Sequence, residues 1–427
     1  MPVFFRKIIS PSLSPNTESD DVWEAVRAFL KPRSWQRGSA IDEIEHWFKD
    51  YYDASAAVSF DSGRSALYAI LEAFGIGLGD DVLVQAFTCV AVPNSIRWAG
   101  ATPVYVDIDK RFNIDPKDLE KKITKQSKAI IVQHTFGIPA AMDAILTIAR
   151  KHNLIVIEDC AHSLGATYHN RTVGSLGDAA FFSFGRDKVL SSVWGGMAII
   201  SQKSPPKADQ PMAEKVKSPP AGEAGQKLRQ IQEKLPYPSR IWIVQQLFHP
   251  IAFAVILPLY NLIIGKVILE CLKRLGLLSK PVNDQELRGE KPLFMPRRYP
   301  NALARLLMRQ LVKLKRYTIK RRRTVAYYQE VFQSRNEIIM PKSIPGGVYL
   351  RFPILVQNQE EVMMRAKRAG ILLGNWYTSV IDPVQVNREN VGYIAGSCPK
   401  AEIYARHIIN LPTLISEDEA RRVVAMV

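Results

Sequence analysis

Four short stretches carry side chains that could do chemistry together. Lys188 lies between the apolar run FFSF (181–184) and the Gly195–Gly196 pair, so its amine follows a β-rich run. Asp159 ends the apolar run LIVIED (154–159), and Ser62, Gly63, Arg64 and Ser65 in DSGRSALYAIL open a helical pattern directly after another such run. Ser183 precedes Lys188 by five residues. A lysine amine is a nucleophile toward a carbonyl carbon. A carboxylate at the end of a strand can keep a ring nitrogen protonated, and hydroxyls with backbone N–H groups at a helix N-terminus cradle phosphate.

Carbonyl carbon, protonated ring nitrogen and phosphate are the three handles of pyridoxal 5'-phosphate. Each residue also has an ordinary reading. An aspartate after a strand caps a turn, S-G-x-S caps a helix, and a loop lysine is solvated. The case rests on their joint presence in this order.

Elements able to position these groups recur between residues 55 and 200. AAVSF (56–60), DVLVQA (81–86), TPVYVDI (102–108), KAIIVQH (128–134), LIVIED (154–159), AAFFSF (179–184) and GMAIIS (196–201) read as strands. SALYAILEAFG, VAVPNSIRWAG and AAMDAILTIARKHN lie between them, with apolar residues at helical spacing. Alternating units of this kind predict an α/β fold with a mainly parallel sheet, whose ligands gather at the carboxyl ends of its strands. The stretch 202–240, rich in proline, lysine and alanine, reads as a mobile linker. From YLRFPILV onward the pattern is that of a smaller α+β domain.

SGRSAL (62–67), FTCVAVPNSIRWAGATPVYVDID (87–109), VQHTFGIPAAMDAI (132–145), EDCAHSLGA (158–166) and VGSLGDAAFFSFGRDK (173–188) resemble the DegT/StrS-type sugar aminotransferases. The resemblance resumes at ALARLLMRQLVKLKRYTIKRR (302–322), KRAGILLGNWY (367–377) and CPKAEIYARHIINLP (398–412), leaving out about 202–295. It implies a fold-type I pyridoxal-phosphate transferase with a seven-stranded sheet in the large domain. That domain would span 1–201, a linker with an inserted apolar and basic segment 202–295, and a connecting helix with the small domain 296–427.

Further implications concern the site and the reaction. Lys188 would bind the cofactor's carbonyl carbon, Asp159 the pyridine nitrogen, and Gly63, Arg64 and Ser183 the phosphate. His162 stands where the family usually has glutamine, near the phenolic oxygen. Cys89 stands where the family usually has a ring-stacking aromatic, Trp194 where it has a glutamate, and Arg64 where it has a threonine. The resemblance implies a homodimer that transfers an amino group from an amino acid, usually glutamate, to a nucleotide-linked keto sugar in polysaccharide or glycolipid synthesis. Dehydratases of the family carry histidine in place of the lysine, so Lys188 favours transamination. A sugar dehydratase and a silent binding or regulatory protein on the same fold are the alternatives.

The net charge of +16 is local: residues 201–323 hold 25 lysines and arginines against 8 acids, and the remainder 32 against 33. No nucleic-acid motif accompanies the excess, which leaves an anionic membrane surface as the partner. Residues 241–265 contain no charged side chain, enough for a bilayer span of about 20 residues. Lys188 precedes this run and the small domain follows it, so the run must return or lie flat. Pro258 would mark a turn, and 259–278 reads as an amphipathic helix, with Lys266, Glu270, Lys273 and Arg274 on one face. Attachment of 241–278 to a membrane and a buried helical insert both remain open here. Cys89, Cys160, Cys271 and Cys398 form no C-x-x-C pair and read as reduced thiols. The N-terminal MPVFFRKIISPSLSP is too short in apolar residues for a secretion signal. The expected location is the cytoplasm, peripheral to the inner face of a membrane, with no metal site.

Overall fold

The computed structural model describes residues 8–202, 220–341 and 344–427. Seven strands form one sheet: β1 (Ala54–Phe60), β2 (Asp81–Gln85), β3 (Thr102–Val106), β4 (Ser127–Gln133), β5 (Ile155–Asp159), β6 (Ala179–Ser183) and β7 (Gly196–Ser201). Their order is β1-β7-β6-β5-β4-β2-β3. β7 runs antiparallel to both neighbours, and all other pairs are parallel. The central strands are apolar on both sides because helices cover both faces. Ile131, Ile157, Phe181 and Ala198 pack with the helix Gly63–Ala73. On the opposite face Ile130 and Val156 pack with Met142–Lys151, and Phe182 and Met197 with Ser39–Tyr52 and Asn301–Leu311.

Two backbones cross where β7 begins. A side-chain carbon on Gly196 would lie 2.3 Å from the Ser62 carbonyl and 2.5 Å from the Gly63 nitrogen. Only glycine permits this approach, which sets the start of the Gly63–Ala73 helix against the end of β6.

The helix Leu314–Phe332 leads into the small domain, where Arg351–Leu355 pairs antiparallel with Ile408–Pro412. Tyr328, Phe332, Phe352, Ile354 and Leu411 form its core. A short parallel pairing of Ile381–Asp382 with Thr88–Cys89 brings small-domain residues over the large domain.

Two sequence expectations fail here. Residues 221–234 are not linker: Ala221–Lys234 is a helix that buries Ala224, Gly225, Leu228 and Gln232. Gln232 donates to the Ser59 carbonyl at 3.0 Å, and Arg229 pairs with Glu45 at 2.7 Å. Composition averaged over the whole stretch hid the helical spacing of those buried positions. Residues 203–219 of that expected linker lie outside the described residues. The expected turn at Pro258 is also absent, since Pro250 and Pro258 both lie inside the helix Arg240–Leu259. The chain reverses over Tyr260–Ile263, and Ile264–Arg274 folds back to form a helical hairpin. Gly265 allows that return, because a side-chain carbon there would sit 2.5 Å from the Ile256 carbonyl oxygen.

Gly196→Ala should lower the unfolding free energy by about 1–3 kcal/mol, the usual cost of forcing atoms into a packed site. Urea denaturation checks this, and an unchanged midpoint would show that the crossing can relax.

Candidate active site

The carboxyl ends of the parallel strands carry the groups named above. Asp159 is the last residue of β5, Ser183 the last of β6, and Lys188 lies in the loop that follows. That loop is held from two sides. Asn16 donates to the carbonyls of Lys188 (3.2 Å) and Val189 (3.4 Å), and the buried Arg321 donates to Val189 at 3.0 Å. Gly185 lies beside both Ser183 and Lys188. A side-chain carbon on it would come within 3.5 Å of Lys188 Cγ and 3.8 Å of Ser183 Oγ.

Lys188 Nζ lies 3.1 Å from His162 Nε2 and 4.9 Å from the centroid of the Trp376 ring. Burial pushes the His162 imidazole well below its usual titration range, and the charges of Lys188 and Arg351 add to this. The ring is therefore neutral. The Phe136 N–H donates to its Nδ1 at 3.3 Å, which leaves the single ring proton on Nε2, facing Lys188. The Lys188 amine, the group that would attack a carbonyl carbon, is thus held within hydrogen-bond distance of a neutral imidazole. His162 lies parallel to Trp376, with 5.5 Å between ring centroids.

Asp159 is 4% exposed. Burial raises its pKa to about 6, against smaller opposing effects of the Ala161 N–H, Lys188 and His134. One carboxylate oxygen accepts from Ala161 N–H at 3.0 Å, and the other takes no hydrogen bond from the described residues. The neighbouring Glu158 points the other way, as strand alternation requires, and is consumed by the N–H groups of Gly174, Leu176 and Gly177 and by His134. His134, Glu158 and Cys160 are close enough to hold a metal, yet those bonds make the group a structural brace.

At the helix Gly63–Ala73, Ser62 acts as the N-cap. Its Oγ accepts from Ser65 N–H at 3.3 Å and contacts Asp61, so the ordinary capping reading holds for this hydroxyl. The N–H groups of Gly63 and Arg64 have no acceptor among the described residues. Ser183 abuts them, its Cβ 3.0 Å from where a Gly63 side chain would begin. The Arg64 guanidinium departs from expectation: it pairs with Glu286 and donates to the Pro281 carbonyl at 2.7 Å. The short helix Asp284–Leu287 delivers this buried carboxylate. Only the backbone of Arg64 is therefore offered to an anion. Cys89 is half-buried, and desolvation raises its thiol pKa against smaller opposing effects of the Ala91 N–H, Arg64 and Lys188. The flat aromatic surface beside Lys188 comes instead from Trp376.

Sequence reading gave no role to Trp376, Arg351 or Asp187. Arg351 is 1% exposed, stacks on Trp376 at 3.5 Å and donates to Asp187 at 2.9 Å. Asn410 clamps the Trp376 backbone from both sides. The NWY stretch quoted above contained Trp376, but nothing local in it indicates that a distant strand pairing folds it over Lys188.

Free helix N–H groups beside a hydroxyl, a buried acid with an unclaimed oxygen and a primary amine beside an imidazole fit the phosphate, ring nitrogen and carbonyl carbon of pyridoxal 5'-phosphate. On this sheet, that combination defines the fold-type I enzymes dependent on this cofactor. The model of the DegT/DnrJ/EryC1/StrS aminotransferase family matches residues 16–210 and 267–427, and the chain belongs to that family. GDP-perosamine synthase of Caulobacter vibrioides is 47% identical over 161 residues, 38% of this chain and 43% of the relative. The dTDP-3-amino-3,6-dideoxy-alpha-D-galactopyranose transaminase of Aneurinibacillus thermoaerophilus is 41% identical over 182 residues, 42% of this chain and 50% of the relative. The chain thus spans half or less of the length of these two relatives. The pleiotropic regulatory protein of Geobacillus stearothermophilus is 29% identical over 412 residues, 95% of this chain and 91% of the relative. DesV of S. venezuelae shares the fold with a TM-score of 0.71 at 25% identity, covering 95% of this chain and 93% of that one. The family match leaves out 211–266, a narrower gap than the 202–295 expected from sequence.

The Asp159 shift has a measurable consequence in the cofactor-free chain. Its folded pKa (about 6) exceeds the unfolded value (3.8), so the folded chain holds the proton more tightly. The associated stability is whole below the unfolded value and is lost as pH rises through about 6, a change of roughly 3 kcal/mol. Urea midpoints of the wild type should fall across that window, while those of Asp159→Asn should not. Parallel curves for the two proteins would contradict the assignment.

Proposed function

We propose that this protein transfers an amino group from an amino acid, glutamate, to the keto group of a nucleotide-linked sugar, in the synthesis of a surface polysaccharide or glycolipid. The observation that carries this is the Lys188 amine held at 3.1 Å from the neutral imidazole of His162. The names of the two sugar-modifying relatives support the substrate class, and lysine at position 188 supports transamination over dehydration. A homodimer, implied by the family resemblance, is the assembly proposed.

Bound pyridoxal phosphate supplies an electron sink next to the carbon that loses or gains a proton. Asp159 would hold the proton on the ring nitrogen, and the Gly63 and Arg64 N–H groups with the Ser183 hydroxyl would hold the phosphate. Lys188 would hold the group through its carbonyl carbon. Its amine is also placed to take a proton from the donor's α-carbon as base and to give that proton back as acid. His162 keeps that nitrogen oriented throughout. Arg351 is buried, with an Nε that has no hydrogen-bond partner among the described residues, and is the group proposed for the donor's carboxylate.

Incubation with 15N-amino-labelled glutamate and a nucleotide-linked keto sugar should yield a labelled amino sugar. Lys188→Ala should lower its formation by about 10²–10⁴-fold, the usual contribution of a positioned acid–base group. Arg351→Gln should raise KM for glutamate more than KM for the sugar. A product that has lost a hydroxyl without gaining nitrogen would establish the dehydratase reading. A protein that stays colourless with added cofactor would establish the silent one.

A further inference from the structure

The hairpin 240–278 is folded into the molecule at its base and apolar at its tip. Ile243 and Leu247 belong to the large-domain core, while Ala252, Phe253, Ile256 and Leu269 form a small core of the hairpin itself. Arg240–Leu262 is long and apolar enough to cross a membrane, but a span would pull Ile243 and Leu247 out of that core. Toward the tip the burial ends. Val255, Ile263, Ile264 and Val267 are each more than half exposed. These side chains sit on two packed helices and the turn between them, so their exposure is a property of the folded hairpin.

A basic groove lies near the hairpin, whose Leu257 shares a cavity wall with residues of the groove. The outer face of Leu314–Phe332 lines a cavity of about 870 Å³, with Val312, Ile319 and Ile415 as apolar wall and Glu417 as its one carboxylate. Within it Arg316 is tied to Glu18 (2.6 Å) and Arg421 to Asp418 (2.5 Å). Lys315, Lys320 and Arg323 line the groove and have no carboxylate partner among the described residues. A second cavity of about 240 Å³ joins the two features, since Leu257 of the hairpin shares its wall with Arg316, Lys320 and Ile415. This face lies away from the cofactor groups. The inward side of the same helix carries Arg321, which clamps the Lys188 loop.

We infer that the hairpin tip and this groove form one docking surface for an anionic lipid bilayer. Ile263, Ile264 and Val267 enter the headgroup–acyl boundary, and Lys315, Lys320 and Arg323 bind phospholipid phosphates. Unpaired cations beside exposed aliphatic side chains are complementary to a surface that is anionic outside and apolar beneath. A second copy meeting this face symmetrically would bring like charges together at close range. The inference is independent of the reaction proposed above.

Flotation of the full chain with vesicles tests it. The protein should partition onto phosphatidylcholine vesicles containing phosphatidylglycerol, leave vesicles of phosphatidylcholine alone unbound, and lose binding as salt is raised. Two variants, Ile263→Asn with Ile264→Gln, and Lys315→Gln with Lys320→Gln and Arg323→Gln, should each weaken partition at least about tenfold while turnover in solution is kept. Asparagine suits the left-handed backbone of Ile263 (φ 67°), so the first variant keeps the turn. Binding that ignores lipid charge, or that survives either variant, would overturn the inference. So would a doubled mass in light scattering that the tip variant abolishes while vesicles stay free of protein, since the tip would then be a contact between copies.

Discussion

One primary amine must be kept reactive at the carboxyl edge of a sheet, within reach of an acid kept out of water. Both demands run against ordinary folding preferences. A lysine nitrogen seeks solvent or a carboxylate, yet Lys188 faces the imidazole of His162. That imidazole can play its part only because burial keeps it uncharged and the Phe136 N–H fixes its tautomer. An aspartate seeks water or a cation, yet Asp159 is enclosed with one oxygen left without a donor. A bound cofactor with a protonated ring nitrogen would relieve that enclosure, so the site is complementary to a ligand more than to itself.

Much of the surrounding architecture serves to hold these groups still. Asn16 near the N-terminus and Arg321 in the long helix grip the loop bearing Lys188 from distant parts of the chain. The close crossing at Gly196 sets the free N–H groups of the Gly63–Ala73 helix against Ser183. Glu158, one residue from Asp159, spends its carboxylate on three backbone N–H groups and thereby anchors the turn that leads into β6. Stability is thus concentrated beside the site and withheld within it, the pattern expected where function requires a strained charge state.

The sheet was legible because each strand combines β-branched or aromatic residues with clear turn signals, and its seven members fall within about two residues of the sequence expectation. Asp159, Ser183 and Lys188 were legible for the same reason, since each closes or directly follows a strand. Trp376 and Arg351 were not, because they reach the site through small-domain pairings, of Ile381–Asp382 with Thr88–Cys89 and of Arg351–Leu355 with Ile408–Pro412, between segments far apart in sequence. Arg64 shows a different limit. Its charge suited a phosphate, but the sequence does not reveal that Glu286, 222 positions later, would claim it. In the insert, prolines suggested a break that helical packing tolerates, and the reversal fell at Tyr260–Ile263. Local pattern predicted elements well, and it failed where a partner came from another part of the fold.

The central claim is that Lys188 is the nitrogen that bonds to the cofactor. Borohydride reduction of the cofactor-loaded protein, followed by mass spectrometry of its peptides, tests this most directly. The account predicts a stable pyridoxyl adduct on Lys188. An adduct on another lysine, with Lys188 recovered unmodified, would contradict it.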